Sequence, residues 1–183
     1  MGAVGDKSKK GAVIMKLYLK VFKNYANFKG RASRREYWVF SLINALILLI
    51  LFWLCNLLFT YSGELETGLL NTVLNVATII FIFALIIFIL GLIVPSYALF
   101  VRRVHDSGRS GWHAIPLLVM PINGFIINLF VNSEMDSLPQ VILPLIFLLL
   151  QICCAIYSIY VVFAKSQPVT NAYGEYPIAN TTH

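Results

Sequence analysis

The sequence predicts an all-α membrane protein, a four-transmembrane-helix bundle with an N-terminal amphipathic interfacial helix. Three observations carry this. Hydrophobic residues make up 59% of the chain and charged residues 12%, against about 45–50% and about 25% in ordinary soluble domains. Four long stretches hold no charge: between Glu36 and Glu64, Glu66 and Arg102, Arg109 and Glu134, and Asp136 and Lys165. The lysines and arginines are confined to alternate segments between those stretches.

The elements follow in chain order. Residues 1–14 read as a flexible basic extension, with Lys7, Lys9 and Lys10 but no apolar core and cleavage site of a signal peptide. Residues 15–28 place Leu17, Val21, Tyr25 and Phe28 on one helical face and Lys16, Lys20 and Lys23 on another. Such a helix lies in the membrane interface or packs on the protein's own loop. The membrane domain spans residues 15–177, with helices near residues 38–60, 71–94, 112–131 and 141–163, and residues 178–183 form a tail. Crossing about 30 Å of hydrocarbon takes about 20 residues, and backbone groups in lipid must be satisfied internally, so these runs are helical. Pro95 marks a kink, with residues 96–101 continuing toward the interface. The third segment carries Pro116, Pro121, Asn123, Gly124 and Asn128. It reads as a kinked, protein-buried helix or as a re-entrant segment that never crosses.

Orientation follows from charge. Ten of the 14 lysines and arginines precede the first helix; Arg102, Arg103 and Arg109 lie between the second and third, and Lys165 follows the fourth. The other two loops carry only Glu64, Glu66, Glu134 and Asp136. The positive-inside rule then puts both termini and the middle loop in the cytoplasm. This placement also accounts for the net charge of +6 without invoking nucleic acid. Cys55, Cys153 and Cys154 sit in apolar runs and read as packing residues.

Two basic motifs stand at the predicted cytoplasmic side. The first runs Phe28-Lys-Gly-Arg-Ala-Ser-Arg-Arg-Glu-Tyr-Trp38, the second Arg102-Arg-Val-His-Asp-Ser-Gly-Arg-Ser-Gly-Trp112. With Asn171-Ala-Tyr-Gly174 they resemble the domain of unknown function 805 family of small bacterial inner-membrane proteins, over about residues 15–177. His113 and the linker before Asn171 depart from the family's pattern. The resemblance implies a small multi-pass plasma-membrane protein and brings no reaction, so no catalytic residues carry over.

Read from their chemistry, Arg31, Arg34, Arg35, Arg102, Arg103 and Arg109 crowd one leaflet surface and suit bidentate contact with phosphate. They are candidates for anionic-headgroup contact, beside a purely topological role. Glu36 and Asp106 are the acids inside the motifs. They are expected near Arg34, Arg35, Arg102 and Arg103, with at least one pairing across motifs as a clamp. Ser107–Gly111 reads as a tight glycine turn or as an anion nest capped by Ser110. His105, Asp106 and His113 lack metal-ligand spacing, so neither metal nor cofactor is expected. Gly-Arg, then serine, then tryptophan precedes each helix pair: Gly30-Arg31, Ser33 and Trp38; Gly108-Arg109, Ser110 and Trp112.

The leading functional reading is a non-enzymatic protein working through membrane lipids, or through a membrane-protein partner or a second copy of itself. The runner-up is a small oligomeric transporter or channel for an uncharged solute, its polar route lined by Asn44, Asn56, Asn75, Asn123, Asn128 and Gln151. The four predicted cores contain no acid or base, and intramembrane charge is the usual mark of an ion path.

Overall fold

The computed structural model describes residues 2–64, 68–131 and 138–177. Five α-helices account for most of it: α1 Gly2–Lys23, α2 Arg34–Glu64, α3 Leu69–Asp106, α4 Ile115–Val131 and α5 Leu138–Phe163. A 3-10 turn, Gly111–Ala114, leads into α4. Four segments are long and apolar enough to cross a membrane: Arg34–Ser62, Leu69–Asp106, Gly111–Phe130 and Leu138–Phe163. The protein is therefore an all-α membrane protein. The loop acids Glu66, Glu134 and Asp136 and the tail 178–183 lie outside the described residues.

The chain divides into two compact units, residues 1–26 with 38–96 and residues 27–37 with 97–183. In the first unit α1 departs from expectation at both ends. Its helix begins at Gly2, taking in the residues read as an extension, and stops at Lys23. The stop is local. The Asn24 amide N–H closes onto the Lys20 and Val21 carbonyls, and its side chain donates to Lys20 O at 2.9 Å, capping groups that the helix leaves open. Tyr25 and Phe28 therefore leave the helical stripe and are exposed, while Leu17 and Val21 are buried. The apolar face packs on protein: Tyr18 and Phe22 meet the Phe40 ring with centroids 5.6 Å away. Tyr18 Oη donates to Asn44 Oδ1 at 3.2 Å, and burial raises the Tyr18 phenol pKa against the lowering by that bond. Tyr25 Oη donates to Gly91 O at 2.7 Å.

The bodies of α2 and α3 turn large apolar side chains outward, among them Phe52, Trp53, Phe59, Ile80, Phe83 and Ile87. That inverts a soluble protein's surface and suits hydrocarbon. Polar side chains bond back to their own helix: Asn56 to Phe52 O, Thr60 to Asn56 O and Thr78 to Leu74 O, each at 2.8–2.9 Å. Lipid offers no alternative partner.

In the second unit the character of α3 reverses. Past the buried Pro95, the last residue but one of the first unit, every residue from Ala98 to Asp106 is buried. At 38 residues the helix is about 57 Å long, almost twice the hydrocarbon thickness of about 30 Å. The proline-containing α4 packs against α5. Buried Asn123 donates from Nδ2 to Phe147 O at 2.8 Å and to Gln151 Oε1 at 2.9 Å.

Candidate functional site

The second unit gathers both sequence motifs and the segment after α5 around a buried ionic cluster. Local sequence builds its parts. Asn27 Oδ1 accepts from the Lys29 N–H at 3.0 Å, an Asx turn. Gly30 follows at φ +86°, left-handed backbone that suits glycine. Ser33 then caps α2: its hydroxyl accepts from the Glu36 N–H at 3.1 Å and its carbonyl from the Tyr37 N–H. Ser-Arg-Arg-Glu is the capping-box spacing. At the end of α3, Gly108 at φ +77° turns the chain out of the helix.

Two carboxylates organise the cluster. Asp106 Oδ1 accepts from Arg31 Nε at 3.0 Å and lies 2.9 Å from its Nη2. Asp106 Oδ2 takes Arg103 Nη1 and the Ser166 hydroxyl. Glu36 Oε1 accepts from Arg102 Nη1 at 3.4 Å. The side chains of Arg31, Arg102, Arg103, Glu36 and Asp106 are 0–4% exposed. An acid at the C-terminus of a helix opposes the helix dipole. The two guanidiniums on Asp106 offset this, and a buried charge needs such partners.

The remaining guanidinium donors of Arg31 and Arg103 hold main chain, while Nε and Nη2 of Arg102 are buried without an acceptor among the described residues. Arg31 donates to Val169 O at 2.8 Å, Gln167 O at 2.5 Å and Asp106 O at 3.3 Å. Arg103 donates to Val162 O at 3.2 Å and to Ala164 O, which also accepts from Arg34 Nε at 3.2 Å. The open carbonyls at the end of α5 are thus closed by cations from other parts of the chain. The strap after α5 is tied further. Its Gln167 N–H donates to Asp106 O at 2.9 Å, and Asn171 Nδ2 donates to His105 O at 3.0 Å. The Tyr173 ring lies flat on the His105 imidazole, centroids 3.9 Å apart, while His105 Nδ1 is 3.2 Å from Gly30 O.

The geometry revises several sequence readings. Both motif acids pair with an arginine of the opposite motif, Asp106 with Arg31 and Glu36 with Arg102. Arg31 lay outside the expected set, and exposed Arg35 meets neither acid in these pairs. The charged ends of Arg31 and Arg103 are buried and committed to protein acceptors, whereas buried Arg102 meets Glu36 through Nη1 alone and its Nε and Nη2 have no acceptor among the described residues. Headgroup contact does not fit Arg31 and Arg103 and remains open to Arg34, Arg35 and Arg109, which keep solvent exposure. Ser110 precedes the 3-10 turn without a side-chain cap bond, so the capped anion nest is not formed and the glycine-turn reading holds. Among the described residues no group of three or more His, Cys, Asp or Glu could hold a metal ion. Sequence reasoning missed Ser33, although Ser-x-x-Glu was there to be read. It also missed Ser166, Gln167 and the carbonyls of the strap. Asn171 and Tyr173 carried resemblance but no assigned role. What the arrangement does chemically is lock: it binds the start of α2, the end of α3 and the end of α5 together.

Comparison with known proteins places the sequence in a family. The family model for Protein of unknown function (DUF805) matches residues 25–175, which includes both motifs and the strap. The chain is 36% identical to Inner membrane protein YhaH of Escherichia coli K12 over 120 residues, 66% of this chain and 86% of that protein. It is 36% identical to Inner membrane protein YhaI of the same strain over 123 residues, 67% of this chain and 88% of that protein. No solved structure matches.

Proposed function

Because the chain belongs to the DUF805 family, we propose that it is a multi-pass protein of the bacterial inner membrane acting without catalysis. Its work is contact with anionic lipid or a membrane-protein partner through a basic cytoplasmic face. The observation that carries this reading is the buried lock. Both motif acids and three motif arginines are used to fix a surface, around which Lys29, Arg35 and Lys165 stand exposed. Exposed cations beside an anionic leaflet are each attracted by about 1 kcal/mol, and a rigid base presents them together.

The lock also supports the orientation. Ser166, after α5, hydrogen-bonds Asp106 at the end of α3. The chain between them leaves this end and returns to it, which favours a crossing α4 over a re-entrant one. The positive-inside rule then favours the cytoplasm for this end and for both termini. Reporters fused after Ser107 and at the C-terminus should be active in the cytoplasm and one fused after Glu66 inactive. An external C-terminus refutes the orientation.

Transport of an uncharged solute is the weaker reading. Asn44, Asn56, Asn75 and Asn123 all donate to helix carbonyls or neighbouring amides, which is how helices are stabilised in lipid. Asn123→Ala should therefore cost about 0.6 kcal/mol, the average interhelical bond in a membrane, in thermal unfolding. Solute flux in reconstituted vesicles that disappears with this substitution would reverse the ranking. The direct test is purification with native lipids followed by mass spectrometry. Enrichment of an anionic lipid or a stoichiometric membrane-protein partner is expected, and enrichment of neither defeats the reading.

A further inference from the structure

Arg109 differs from the arginines of the lock. No carboxylate among the described residues pairs with it. Its Nη2 donates to Tyr160 Oη at 2.6 Å, its guanidinium carbon sits 4.7 Å from the centroid of the Tyr160 ring, and its Nη1 has no acceptor. Tyr160 continues to Tyr157, ring centroids 6.3 Å apart, and Tyr157 Oη lies 2.6 Å from His113 Nδ1. Arg109, Tyr160, Tyr157 and His113 thus form one connected cluster where the turn before α4 meets the last turns of α5.

The donors are left over. Tyr160 Oη accepts from Arg109, so its own O–H is available, and no acceptor for it appears among the described residues. In the Tyr157–His113 pair one donor stays free whichever way the bond runs. If the phenol donates to Nδ1, the neutral ring carries its proton on Nε2; if Nδ1–H donates, the phenol O–H is released. Three unused donors and an unbalanced positive charge, without a nearby paired acid, suit an oxyanion with several acceptor oxygens. The surroundings are those of a bilayer interface. Trp112 is 78% exposed at the start of the Gly111–Phe130 span, and Ile156 and Ile159 are exposed on α5. Tryptophan and tyrosine favour headgroup level.

We propose that Arg109, Tyr160, Tyr157 and His113 bind a phosphate group, carried to them by the headgroup of an anionic phospholipid. This rests on the lipid-contact reading above and gives it a site. Arg109 shifts its Nη1 from the shelter of the cluster onto a phosphate oxygen, Tyr160 donates to a second oxygen, and Trp112 stands in the interface beside the acyl chains.

The test uses the full chain in detergent, titrated with phosphatidylglycerol, phosphatidylcholine or inorganic phosphate, with retained adducts counted by native mass spectrometry. Phosphatidylglycerol should be retained in preference to phosphatidylcholine. Arg109→Gln should weaken its retention about tenfold, the loss of one charge-assisted hydrogen bond. Tyr160→Phe keeps the ring and should weaken it about threefold, which preserves the test if the arginine variant folds poorly. Adducts with inorganic phosphate that Arg109→Gln and Tyr160→Phe both weaken, with phosphatidylglycerol retained no better than phosphatidylcholine, support the phosphate site and assign it to a soluble carrier. Wild-type retention in both Arg109→Gln and Tyr160→Phe overturns the site. If the preference for phosphatidylglycerol persists in those variants, the broader lipid reading stands without it; a wild-type protein that retains none of the three probes ends both.

Discussion

The two motifs present the same dipeptide to opposite fates. Gly30-Arg31 and Gly108-Arg109 each put a left-handed glycine, φ +86° and +77°, directly before an arginine. Arg31 is then buried, with its donors on a carboxylate and on carbonyls of the strap. Arg109 stays partly exposed, resting on a tyrosine. The glycine settles the backbone turn locally, but the job of the next side chain depends on which distant segment returns to it. Residues 164–174 come back onto Arg31; the last turns of α5 come back onto Arg109 with phenols.

The largest test of that contrast is Asp106→Asn. It removes the carboxylate shared by Arg31 and Arg103 and leaves both charges buried. Breaking a buried pair costs about 3–5 kcal/mol, and the protein should lose that much in chemical denaturation in detergent. Arg31→Gln should fall in the same range. A loss under 1 kcal/mol for both would mean that water reaches the cluster, and the two arginines would then differ far less than their burial implies.

The glycines give the next effect. An alanine at φ near +80° costs about 1–2 kcal/mol. At Gly30 a Cβ would meet nothing within 4 Å, whereas at Gly108 it would lie 2.0 Å from Gln167 Nε2. Gln167 must then move and give up the bond that its Oε1 accepts from Asn171, a further cost of about 1 kcal/mol. Gly108→Ala should therefore be the more damaging in thermal unfolding. Adding Gln167→Ala to it should cost little more, because the clash has already taken that contact. Equal losses at the two glycines would show that strain alone matters.

How much of this could be read from the chain follows from the same physics. The spans were legible because lipid tolerates only long uncharged helical runs, and four such runs exist. Pairing of Glu36 and Asp106 across motifs was legible as chemistry, since an acid beside arginines near apolar segments needs a partner. The choice of Arg31 over Arg35 was not, because Arg31 stands before α2, in the turn that follows Gly30, where no helical period places its side chain. The strap was invisible for a deeper reason. Arg31 and Arg103 bind its main-chain carbonyls, which every residue has, so no side-chain type announces them. The helical start of α1 was hidden by glycines and lysines that form no apolar stripe.

The smallest effect belongs to Arg109, and it closes the comparison from the other side. Arg109→Gln removes a hydrogen bond to a neutral phenol, worth about 0.5–1.5 kcal/mol, and a contact with the tyrosine ring worth about 0.5–1 kcal/mol where exposed. Against these stands relief of Nη1, a buried donor without an acceptor; leaving such a group unsatisfied costs about 1–3 kcal/mol. The terms nearly cancel, so unfolding in detergent should shift by about 1 kcal/mol or less. The cancellation is specific to detergent. Where an anionic headgroup supplies the missing acceptor, the wild-type side chain gains and glutamine does not, so the gap between the two proteins should widen as phosphatidylglycerol is added. Arg31→Gln should show no such dependence, because its donors are already satisfied by protein. A gap at Arg109 that stays constant with lipid would make the two arginines differ only in burial. A gap that grows would mean that Arg31 holds the molecule together and Arg109 meets the membrane.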